Sequence, residues 1–61
     1  MRVNLHCNMT NGEIVDKTIK VAVVPRQGES IWLDGVDAKG QFDVTHVGHE
    51  SGKVEIVVFQ Q

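Results

Sequence analysis

The chain has 61 residues, a formal charge of -2 and a single cysteine, which excludes an internal disulfide and limits it to one small domain, 1–61. Its six basic residues, Arg2, Lys17, Lys20, Arg26, Lys39 and Lys53, form no cluster, which points away from nucleic acid as the main partner. No apolar stretch approaches the roughly 20 residues of a membrane-spanning helix, and Met1 to Asn8 alternate in polarity instead of forming a signal peptide.

Most apolar residues fall in short alternating runs: Val3-Leu5-Cys7, Ile19-Val21-Val23, Ile31-Leu33, Phe42-Val44 and Val54-Ile56-Val58. A spacing of two puts each set on one face of a strand, so the chain reads as five antiparallel strands around one core. A domain this small sits near the size at which further burial, in an oligomer for instance, becomes a source of stability. Cys7 belongs to an inward-facing run, and a lone buried thiol fits a reducing, cytoplasmic location.

The first hairpin is signalled by Asn11-Gly12. With Gly12 as the left-handed residue of a three-residue bulged loop, Cys7 falls opposite Val15, Leu5 opposite Lys17 and Val3 opposite Ile19. A two-residue turn would pair Cys7 with Asp16 and break the inward pattern. Lys17 is the one misfit on the inner face; its stem could cover Leu5 while the ammonium reaches solvent, or the strand could bulge again near Asp16.

The second strand is expected to run to about Val24 and stop at Pro25, which lacks a backbone donor and restricts the residue before it. A turn over Pro25 to Gly28 leads to a short strand around Glu29 to Leu33, with Ile31 and Leu33 inward and Trp32 on the other side. Asp34 to Gly40 form the longest loop. The fourth strand, about Gln41 to His49, changes parity between Phe42-Val44 and Val47-His49, so a bulge near Thr45 or His46 is expected. Glu50-Ser51-Gly52-Lys53 reads as a tight hairpin turn, and Val54 to Phe59 as the last strand.

The strand number and lengths, with Arg26-Gln27-Gly28-Glu29-Ser30-Ile31-Trp32-Leu33 followed by Phe42-Asp43-Val44-Thr45-His46-Val47, resemble a small SH3-like barrel. The resemblance implies an all-β, five-stranded antiparallel barrel and carries across no functional residue. Polyproline-binding members present an aromatic cluster to their ligand. Here the aromatics are only Trp32, Phe42 and Phe59.

No catalytic, cofactor-binding or metal-ligating set stands out. His46 and His49 are three apart and diverge in a regular strand, as do adjacent His6 and Cys7. Cys7 lies where a thiol is inert, and Gly35 and Gly40 lack the spacing and following helix of a phosphate loop. A minimal enzyme or metal carrier would need Cys7, His46 and His49 to converge.

Surplus apolar groups are the stronger signal. With Val54, Ile56 and Val58 inward, Val57 and Phe59 lie on the reverse face of the same strand and Trp32 on the reverse of the third. They could line an interface or cap the barrel end. The expected function is a noncatalytic protein-interaction or assembly module, a small adaptor or inhibitor partnered by itself or another chain, of a kind that a phage or mobile element would also encode. The alternative is a barrel that stacks single-stranded nucleic acid on Trp32 or Phe59, helped by Arg26 and Lys39.

Overall fold

Alternation produces five strands in the computed structural model, which describes all 61 residues. They are β1 (Arg2–Asn8), β2 (Ile14–Lys20), β3 (Ser30–Asp34), β4 (Lys39–Glu50) and β5 (Lys53–Gln60). They make one sheet in the order β2-β1-β5-β4-β3, curled into an open half-barrel. In strand number and curl this is consistent with the SH3-like pattern; in pairing and closure it departs from the expected antiparallel barrel.

The β1–β2 hairpin and the β3–β4–β5 meander are each antiparallel, but β1 and β5 join them as a parallel pair. The connection from Val21 to Glu29 is responsible. It leads from β2 at one edge of the sheet to β3 at the other, and Val21 and Val24 pack on the buried cluster as it crosses the inner face. That crossing starts β3 in the direction of β1, so after two antiparallel steps β5 also runs with β1. The two edges, β2 and β3, remain unpaired with each other.

Register in the first hairpin follows the reading from Gly12. Cys7 pairs with Val15, Leu5 with Lys17 and Val3 with Ile19. Gly12 has φ +91°, a conformation costly for residues with a Cβ. Its amide donates to the Met9 carbonyl at 3.0 Å, and the Met9 amide donates to the Glu13 carbonyl at 2.8 Å, closing a bulged three-residue loop.

The second strand is shorter than expected. It ends at Lys20, where the Val21 amide donates to the Met1 carbonyl at 2.8 Å and the terminal amine donates back to the Val21 carbonyl at 3.0 Å. Beyond this clasp the chain leaves the sheet edge, and Val23, expected in the core, is 79% exposed.

On β4 the register shifts between Val44 and His46, making Thr45 the extra residue of a bulge. The parity change brings Val47 against the core, while His49 stays exposed near the β4–β5 turn. That turn places Ser51 at φ 43° and Gly52 at φ 80°, the left-handed pair of a two-residue hairpin.

The inner face holds ten buried residues: Val3, Leu5, Cys7, Leu33, Ala38, Phe42, Val44, Val54, Ile56 and Val58. Ala38, read from the sequence as part of a loop, is buried where the β3–β4 connection folds over the core; the Gly35 amide donates to its carbonyl at 3.1 Å. Lys17 pairs with Leu5 on the inner face, and its ammonium donates to Asp37 of that loop at 3.0 Å. This contact bridges β2 to the β3–β4 connection, and it holds the Asp37 carboxyl below its ordinary range. A Cβ on Gly35 would sit 2.6 Å from Lys17 Nζ, so a larger residue there would displace the lysine end.

Cys7 is fully buried and unpaired. Desolvation pushes its thiol up, opposed in part by the charge of Lys17. Thiol reagent should therefore label the native protein far more slowly than the unfolded chain, and Cys7→Ser should cost about 1–3 kcal/mol in urea unfolding. Phe42→Ala, at a fully buried position, should cost about 3–5 kcal/mol, and Phe59→Ala, on the other face, distinctly less. Equal losses would contradict the face assignment. Lys17→Met, which keeps the stem over Leu5, should destabilise less than Lys17→Ala.

Candidate interaction face

The reverse of the sheet has no second layer. Cross-strand pairing arranges its side chains in rows. One row crosses all five strands as Ile14, Asn8, Phe59, Asp43 and Ser30; the next runs Asp16, His6, Val57 and His46; a third runs Thr18, Asn4, Glu55 and Gly48.

Val57 and Phe59 therefore lie side by side on β5, near the centre of this face. Phe59 is 47% exposed and Val57 partly buried. Trp32 is elsewhere: it pairs with Gln41 on edge strand β3, two strands from Phe59, and is 69% exposed. Gln41 and Asp43 of β4 intervene, the latter accepting hydrogen bonds from Ser30 at 2.9 Å and Gln61 at 2.6 Å. The three apolar residues singled out in the sequence thus make two separate features, a central Val57-Phe59 pair and an edge tryptophan.

Beside Val57 the structure assembles a polar network that the strand pattern alone did not announce. His6 Nδ1 contacts Asp16 Oδ1 at 2.6 Å, and its Nε2 contacts Glu55 Oε2. Asn4 Nδ2 donates to the other Glu55 oxygen at 3.5 Å, and Thr18 Oγ1 donates to Asn4 Oδ1 at 2.9 Å. These residues border a shallow depression spanning β2, β1 and β5. The bonds to Glu55, then to Asp16, raise the His6 pKa; the bond from His6, then that from Asn4, lowers that of Glu55.

Half of this cluster was legible, since the hairpin register that pairs Cys7 with Val15 also pairs His6 with Asp16. Glu55 was not, because it reaches His6 only through the parallel β1–β5 pairing.

The residues weighed for catalysis or metal binding stay apart. Cys7 faces the core, His46 faces Val57 on the reverse side, and His49 sits by the β4–β5 turn. No three His, Cys, Asp or Glu side chains are placed to hold a metal ion together, and no helix is long and apolar enough to cross a membrane. No protein-family model, curated protein or solved structure matches the chain.

Trp32 should emit as a solvent-exposed indole and be quenched readily by acrylamide in the native state. Trp32→Ala should change stability by less than about 0.5 kcal/mol.

Proposed function

We propose that this chain is a noncatalytic protein-interaction or assembly module whose outer sheet face meets another protein surface, a second copy of the chain being the first partner to test. The observation that carries the reading is the uncovered Val57-Phe59 pair at the centre of a single-layered sheet. An apolar centre flanked by polar groups such as Asn8, Asp43, His6 and His46 is the composition of an interface core and its rim. The small size of the chain supports the same reading, because one sheet of this length buries few residues by itself.

Exposed Trp32 favours a second reading, stacking of single-stranded nucleic acid. Electrostatics oppose it. The outer-face neighbours of Trp32 along β3 and across β4 include Asp34 and Asp43 as well as Lys39, so the edge offers no basic track for a phosphate backbone.

Light scattering over micromolar concentrations tests the leading reading. The expected result is a mass above that of the monomer, returned to monomer by Phe59→Ala with the fold intact by circular dichroism. A strictly monomeric wild type, unchanged by the substitution, would remove self-association. Titration with single-stranded DNA and RNA at low salt should leave Trp32 fluorescence unchanged. Salt-sensitive quenching would instead favour the second reading.

A further inference from the structure

We propose that His6 is a protonation-dependent tie across the outer face, holding edge strand β2 to central strand β5 through β1 while it is an imidazolium and loosening the β2 edge when it loses a proton. Hydrogen-bond valence fixes the charge state of the ring. Both ring nitrogens contact carboxylate oxygens, Nδ1 that of Asp16 and Nε2 that of Glu55. A neutral imidazole has one donor and one acceptor, so it would set a lone pair against one of these carboxylates; only the imidazolium donates to both. The arrangement therefore selects the charged ring. It also spans three strands, because Asp16, His6 and Glu55 come from β2, β1 and β5 in that order.

The surroundings reinforce this selection. From β2 the facing titratable group is Asp16 and from β5 it is Glu55, whose carboxyl is also lowered by the charge of Lys53. On β4, His46 lies beyond Val57 in the same row. On β1 itself the other charge of the same parity is Arg2, paired with Lys20 at the far end of the strand. No cation therefore lies between the ring and its two acceptors.

The sign follows from linkage. His6 has its value raised on folding, so its contribution is fully present below the unfolded value, about 6.5, and is lost as pH rises through the raised folded value. Glu55 has its value lowered, so its contribution is present above the ordinary carboxylate range and is lost as pH falls through the depressed value. The tie is tightest between those limits. On its basic side the neutral ring keeps its proton on Nε2, against Glu55, the stronger of its two acceptors, so Nδ1 turns a lone pair toward Asp16 and the arm to β2 is the one that fails. β2 is the strand that can yield, being an edge whose only strand neighbour is β1.

The test is a pH titration of the whole protein, following the histidine ring nitrogens by NMR and backbone protection by hydrogen exchange corrected for intrinsic rates. His6 should carry protons on both nitrogens below its folded midpoint and titrate above the same residue in the urea-unfolded chain. Asp16→Asn and Glu55→Gln should each lower that midpoint. Protection of the β1–β2 amides should drop through the His6 midpoint by several-fold more than that of the β3–β4 amides, and His6→Gln should abolish the difference. Should His6→Gln fail to fold, Asp16→Asn, whose amide can meet the ring nitrogen in either protonation state, should remove the same pH-dependent loss. A folded midpoint at or below the unfolded one would overturn the tie, as would equal loss of protection in both strand pairs or a β2 loss that persists in the folded variants.

Discussion

The parallel pairing of β1 with β5 is the constraint on which the rest of this structure depends. A two-stranded hairpin such as β1–β2 is marginal by itself, and the inward residues of β1 and β5 are the ones that meet at the centre. Leu5 pairs with Ile56 and Cys7 with Val58, all fully buried. Lateral neighbours such as Val44 and Phe42 then complete the inner face from β4. β1 and β5 lie far apart in the chain, and the path of Val21 to Glu29 from one sheet edge to the other sets their relative direction. That segment is a structural element despite lacking regular structure.

An open half-barrel leaves its inner face incompletely enclosed, and two devices cover it. The crossover lays Val21 and Val24 on the core. The β3–β4 connection lays Ala38 on it and is drawn to β2 by the Lys17 to Asp37 contact. At the same end, Gln60 accepts from the Thr10 amide at 3.0 Å and donates to the Lys39 carbonyl at 3.2 Å, linking both top loops to β5. A lysine inside an apolar alternation reads as a defect until its partner is seen; here it pairs with Leu5 and its charge joins two parts of the fold.

The outer face obeys a different logic. Its rows mix one apolar pair, Val57 and Phe59, with a connected set of polar groups, and the network from Asp16 through His6 to Glu55, Asn4 and Thr18 runs across strands instead of along them. Strand-crossing hydrogen bonds of this kind add lateral cohesion where β2 has a neighbour on one side only. The same rows isolate Trp32 on the opposite edge, so an apolar residue at each site answers to separate local surroundings.

Much of this architecture follows from the sequence alone. A period of two assigned faces to Val3, Leu5, Cys7, Ile56 and Val58; Asn11-Gly12 set the first hairpin's register, the parity change on β4 announced the bulge at Thr45, and Ser51-Gly52 marked the last turn. These are local features, decided within a few residues by sterics and by side-chain alternation. The tertiary structure alone decided which strands became neighbours: the parallel β1–β5 ladder, the early end of β2 at Lys20, the burial of Ala38, and the meeting of Lys17 with Asp37 and of His6 with Glu55. Alternation specifies which face a residue occupies but not which strand lies beside it. That choice rests on the path of one nine-residue crossover from Val21 to Glu29, whose own sequence carries little periodicity to read.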